Sequence, residues 1–122
     1  MSPPRILIVD DDRTHLVTTQ ELLEDEGYEV VVQAGAFGAT ERVMVTKPDL
    51  VLLDVNMPAL SGEVLLGLLK EREQTRDTPV VLYSSNDESA LRTAARRLGA
   101  AGYVCKGDLP GLRRALARLL PR

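Results

Sequence analysis

Six side chains dominate the chemistry this 122-residue chain could perform: Asp10, Asp11 and Asp12 in a row, then Asp54, Ser84 and Lys106. Carboxylates brought together repel one another, and the usual remedies are raised pKa values or a bound cation. An all-oxygen donor set suits a hard ion. Mg2+ in particular takes one or two carboxylates, keeps several waters and accepts phosphate oxygens. An Asp carboxylate can also act as a nucleophile toward phosphorus and become an aspartyl phosphate. A nearby lysine ammonium and a serine hydroxyl then neutralise and bind the phosphoryl oxygens. Aspartyl phosphorylation assisted by Mg2+ is therefore the chemistry these residues suggest, with Asp54 as nucleophile and Lys106 and Ser84 as its supports.

Such chemistry requires one rim, and the surrounding elements provide it. Arg5-Ile-Leu-Ile-Val, Val30-Val-Val, Asp49-Leu-Val-Leu-Leu and Pro79-Val-Val-Leu-Tyr are short, β-branched apolar runs that read as strands buried on both faces. Gly102-Tyr-Val-Cys is a weaker fifth run. Between them, apolar residues recur at helical spacing: Leu16 and Leu23; Phe37 to Val45; Val64 to Leu69; Leu91, Ala94, Ala95 and Leu98; Leu112, Ala115, Leu116 and Leu119. Ser85 with Glu88 reads as a capping box for the fourth helix, Ser61 and Asp108 as caps of the third and fifth, and Gly27 and Gly99 as helix stops. Pro48 and Pro79 stand just ahead of strands, where a missing N–H costs little.

Five strands alternating with five helices imply parallel strands joined by right-handed crossovers, a three-layer α/β sandwich. Asp10 to Asp12, Asp54, Ser84 and Lys106 all fall at the carboxyl ends of strands, where open sheets of this kind hold their ligands.

Four segments resemble the response-regulator receiver domains of two-component signalling. They are Ile8-Val9-Asp10-Asp11-Asp12, Leu53-Asp54-Val55-Asn56-Met57-Pro58 with Gly62, Val81-Leu82-Tyr83-Ser84-Ser85, and Gly99-Ala-Ala-Gly-Tyr103-Val-Cys-Lys106. The resemblance runs from about Arg5 to Leu120 and implies a single flavodoxin-like domain over residues 1–122, with strand order 2-1-3-4-5. It also implies roles. Asp54 is the phosphoacceptor; Asp10 and Asp11 hold Mg2+ together with Asp54 and the backbone carbonyl of Asn56; Lys106 pairs with the phosphoryl group. Ser84 and Tyr103 are the switch residues that remodel the face formed by the fourth helix, fifth strand and fifth helix. The implied donor is a histidine kinase or histidine phosphotransfer protein, and the implied recipient is a downstream effector or an attached output domain. Such a domain phosphorylates and dephosphorylates itself as a switch and is not a multiple-turnover enzyme. A phosphatase of the aspartyl-phosphate type would need a further general acid and a substrate-enclosing cap.

The chain departs from the family at Gly107, where proline normally follows the lysine, which suggests a looser loop there, and at Ser85, where a small apolar residue is usual. Gly107 motivates the alternative of a pseudo-receiver, a scaffold that binds partners without phosphorylation.

Other features invite plainer explanations. Asp12 alone is a helix-cap residue, and His15 reads as an exposed or rim position. Lone Cys105 reads as a buried, inert thiol. Net charge is −3, which argues against a broad nucleic-acid footprint. Arg113, Arg114, Arg118 and Arg122 gather at the C-terminus, and most of that cluster reads as cations complementing a helix C-terminus. No apolar run is long enough to span a membrane or to serve as a signal peptide, so a cytoplasmic location is the expectation.

Overall fold

The computed structural model describes residues 2–57 and 61–120. Pro58 of the acceptor motif and Arg122 of the C-terminal cluster lie outside the described residues. Strands and helices alternate as β1 (Arg5–Asp10), α1 (Arg13–Asp25), β2 (Glu29–Ala34), α2 (Ala39–Thr46), β3 (Leu50–Leu53), α3 (Gly62–Glu71), β4 (Val80–Ser84), α4 (Glu88–Leu98), β5 (Gly102–Cys105) and α5 (Leu109–Leu119). The five strands form one parallel sheet in the order β2-β1-β3-β4-β5.

Alternate residues of each strand face opposite sides of the sheet, and both sides are filled. Leu7, Val9, Val51, Leu53 and Leu82 pack with Leu65, Leu66, Leu69 and Leu91 on one side. Ile6, Ile8, Leu50, Leu52 and Val81 pack with Leu16, Leu23, Leu112 and Leu116 on the other. Continuous burial in β1, β3 and β4 follows from helices covering both faces.

The two edge strands differ from the sequence expectation. The valines at 30 to 32 are only half-buried, and β5 has one buried residue, Val104. Cys105, expected to be buried, is half-buried for the same reason. The second helix also differs. It starts at Ala39 and buries Ala39, Thr40 and Val43, while Phe37 and Val45 are 77% and 79% exposed.

The caps mostly follow expectation. The side chains of Asp12, Ser61 and Asp108 accept hydrogen bonds from the backbone N–H groups of His15, Val64 and Gly111. Gly99 ends α4 with φ 73°, and Gly27 follows α1 with φ 93°. The Ser85–Glu88 capping box does not form. Asp87 caps α4 instead, accepting from the N–H groups of Ser89 and Ala90. Ser85 is exposed, and the Glu88 carboxylate faces Arg92 and Tyr103 rather than turning back to the chain.

Candidate functional site

The parallel register brings the rim together. Asp10 ends β1, Asp54 directly follows β3, Ser84 ends β4 and Lys106 directly follows β5. Residues separated by 44, 30 and 22 positions along the chain thus meet at one edge of the sheet.

Asp10 and Asp54 are buried, with relative exposures of 2% and 5%, whereas Asp11 is exposed. One carboxylate oxygen from each of the three lies within 4.8 Å of the others. The Lys106 ammonium donates to Asp10 Oδ2 at 2.8 Å and to Asp54 Oδ2 at 3.4 Å. The remaining oxygens of the buried pair are held by the backbone. Asp10 Oδ1 accepts from the N–H of Asp12, and Asp54 Oδ1 from the N–H of Asn56, both at 3.0 Å. These bonds fix both carboxylates by short loops that begin where each strand ends.

Burial raises the Asp54 pKa above the usual carboxylate value, and the nearby Asp10 charge adds to the rise. The Asn56 N–H and the Lys106 charge oppose it without cancelling it. For Lys106, burial pulls downward, but the hydrogen bond to Asp10 and the charges of Asp10 and Asp54 together hold the ammonium above its usual value. Two buried acids therefore share one cation, and the acidic rim keeps unneutralised negative charge.

That imbalance makes the donor set a match for a hard divalent cation. Oxygens bound to a single Mg2+ at about 2.1 Å stand no more than roughly 4.2 Å apart, so oxygens already within 4.8 Å need only small side-chain adjustments. Asp10, Asp11 and Asp54 are all oxygen donors, and no sulfur or imidazole ligand competes among them.

Ser84 is completely buried, and its hydroxyl accepts from Asn56 Nδ2 at 2.9 Å and from the N–H of Asn86 at 3.3 Å. Asn56 Nδ2 also donates to Asn86 Oδ1 at 2.6 Å. The side chains of Asn56 and Asn86 were not singled out from sequence. Each stands two positions after a rim residue, Asp54 and Ser84, and that shared spacing was the available signal.

Two further residues border the site. His15 packs edge-on against Tyr83 with ring centroids 5.3 Å apart, and its Nδ1 stands 3.1 Å from Thr19 Oγ1 and 3.8 Å from Asp10 Oδ2. It is a rim residue, as expected, and part of the wall behind Asp10. Gly62 has no room for a side chain, because a Cβ there would lie 2.4 Å from the Asp54 carbonyl oxygen and 2.6 Å from Val55 Cα.

Tyr103 lies outside this cluster, on the far side of β5. Its hydroxyl accepts from Arg92 Nε at 3.1 Å and donates to Glu88 Oε1 at 3.3 Å. At the departure from the family pattern, Gly107 has φ 93°, a left-handed conformation that glycine adopts without strain. The loop turns there and still presents Lys106 to both acids. Hydrogen bonds from the N–H of Lys106 to the Ser84 carbonyl and from the N–H of Asp108 to the Cys105 carbonyl tie it down.

Comparisons with known proteins agree with this geometry. The family model described as "Response regulator receiver domain" matches residues 6–117. PilH of Pseudomonas aeruginosa is 31% identical over 102 residues, covering 84% of this chain and 84% of that protein. The transcriptional regulatory protein PrrA of Mycobacterium leprae is 34% identical over 106 residues, covering 87% of this chain but only 45% of that protein. Among solved structures, the response regulator TrrA of Thermotoga maritima, in complex with Mg2+ and BeF, superposes with a TM-score of 0.84 at 27% identity, covering 96% of this chain and 99% of that one. With a family match over nearly its whole length and the strand order and acidic rim described above, the chain belongs to the response regulator receiver domain family.

Proposed function

We propose that the chain, a single receiver domain over residues 1–122, accepts a phosphoryl group from a phosphohistidine onto Asp54 in a Mg2+-dependent reaction. The observation that carries this reading is the joint seating of Asp54 and Asp10 around the Lys106 ammonium, at 3.4 and 2.8 Å, beside the exposed carboxylate of Asp11. Asp10, Asp11, Asp54 and the Asn56 carbonyl would hold Mg2+, which when bound adds positive charge beside the phosphoryl oxygens. The similarity to TrrA, solved in complex with Mg2+ and BeF, supports the same metal.

In the transfer, an Asp54 oxygen attacks phosphorus as the donor's P–N bond breaks. The bonding pair departs with the imidazole nitrogen, which takes up a proton. The protein does little covalent chemistry beyond presenting the nucleophile. The Asn56 N–H orients the Asp54 carboxylate, and Lys106 neutralises a phosphoryl oxygen. Ser84 must exchange its bond with Asn56 for one to the phosphoryl group. Movement of Ser84 toward Asp54 vacates space on the β4 side, into which Tyr103 turns, and the surface of α4, β5 and α5 changes. Binding of a downstream effector or output domain then follows as a population shift.

The pseudo-receiver alternative drew on Gly107, and the seated position of Lys106 weighs against it. Incubation with acetyl phosphate and Mg2+, followed by intact-protein mass spectrometry, tests the proposal. A single added phosphoryl group is expected on the wild type and none on Asp54→Ala. Persistent labelling of Asp54→Ala, or no labelling of the wild type, would overturn it.

A further inference from the structure

Tyr83 stands one residue before Ser84, so its side chain leaves β4 on the opposite face of the sheet, between α1 and α5. It is buried, with 7% exposure. Its hydroxyl hydrogen-bonds the Thr19 side chain of α1 and the N–H of Gly107 in the loop between β5 and α5. Burial raises the Tyr83 pKa above its usual value, so the group is a neutral hydroxyl that accepts from the Gly107 N–H. Where proline follows the lysine, as is usual in the family, that donor does not exist. Here glycine supplies it, and a tyrosine one strand away receives it.

Gly107 is the compliant point of its loop. It is exposed, its φ is 93°, and outside its chain neighbours no atom lies within 4 Å of where a Cβ would stand. An opening of about 210 Å3 adjoins it, with Thr18, Leu22 and Leu109 in the lining, so side-chain packing does not wedge the loop in place. On one side the Lys106 N–H is held by the Ser84 carbonyl at 2.8 Å, and on the other the Asp108 N–H by the Cys105 carbonyl at 3.0 Å. Neither bond holds the peptide group between Lys106 and Gly107. That group is planar, so the Gly107 N–H and the Lys106 carbonyl turn together about the Lys106 Cα. A partner for the Gly107 N–H therefore completes the restraint on the backbone of Lys106, whose ammonium stands 2.8 Å from Asp10 and 3.4 Å from Asp54.

We propose that Tyr83 is a positioning residue for phosphoryl transfer: through the Gly107 N–H it orients the Lys106 peptide group and so aims the ammonium at Asp54. The consequence for rate rests on the proposed function, with Asp54 as acceptor. The anchoring bond does not.

Tyr83→Phe removes the hydroxyl and keeps the ring that meets His15 edge-on at 5.3 Å. Thermal unfolding verifies that the variant is folded. Its phosphorylation by acetyl phosphate and Mg2+, followed by intact-protein mass spectrometry, is expected to be about tenfold slower than that of the wild type. A tyrosine with a purely structural role would slow any background by the same factor, whereas a positioning residue matters only where there is an ammonium to aim. Tyr83→Phe should therefore add little to the loss in Lys106→Ala. Amide hydrogen exchange by NMR, without phosphodonor, reads the bond itself. The Gly107 N–H should exchange about fivefold faster in Tyr83→Phe, as the loss of one ordinary hydrogen bond implies, with less change at the Lys106 N–H.

Equal phosphorylation rates in wild type and Tyr83→Phe, the same tenfold loss in the Lys106→Ala background, or an unchanged Gly107 amide would overturn the proposal. A wild type that takes no phosphoryl group, while Tyr83→Phe still frees the Gly107 amide, counts against Asp54 as acceptor and leaves the anchor standing.

Discussion

At the scale of single residues, the site is governed by the cost of burying Asp54 beside Asp10 with one ammonium between them. A carboxyl whose folded-state pKa is raised destabilises the fold once pH exceeds its unfolded value, and fully so above the folded value. The cost of Asp54 therefore begins near pH 3.8 and grows as pH rises toward the folded-state value. Asp54→Asn, measured without metal by thermal unfolding across pH, should be more stable than the wild type at neutral pH, with the gap closing as pH falls toward 3.8. A gap of opposite sign would mean that the Lys106 pairing outweighs burial. Lys106→Ala removes the charge that both acids share, and phosphorylation of Asp54 by acetyl phosphate should slow by about a hundredfold. Asp10, Asp54, Ser84 and Lys106 were legible in the sequence because each stands at a strand end and the topology leaves them one place to meet. The Asn56 side chain was not, because its bond to Ser84 spans a gap between two loops that strand periodicity does not measure.

The helices and strands were easier to recognise than to delimit. Ser85, Asn86 and Asp87 are all competent N-caps, and composition does not say which adopts the extended conformation that capping needs. Asn86 is drawn to Ser84 and Asn56, which leaves Asp87 to start α4. Asp87→Ala should thus cost about 1 kcal/mol of stability, and Ser85→Ala less than about 0.5 kcal/mol, by chemical denaturation. Similar costs at both positions would contradict the assigned cap. The valines of β2 showed the same limit. A β-branched run announces a strand, but whether a helix covers both its faces depends on its place in the sheet, and β2 is at an edge.

For the molecule as a whole, the uncompensated acids imply that folding and cation binding support each other. Mg2+ should raise the melting temperature of the wild type, by about 1.4 kcal/mol of stability at tenfold excess over the dissociation constant, and Asp10→Asn should lose most of the gain. The five alternating strands and helices made the sandwich readable from the chain. The lack of space at Gly62 has a mechanical consequence. Backbone atoms of Asp54 and Val55 rest against the first residue of α3, and the N–H of Gly62 bonds the Val55 carbonyl at 3.3 Å. That close backbone contact ties Asp54 to the start of α3. On the opposite flank Asp54 and Asn56 meet β5 and β4 through side-chain bonds, Lys106 to Asp54 and Asn56 to Ser84, so a rearrangement that begins at Asp54 should pass to that flank first.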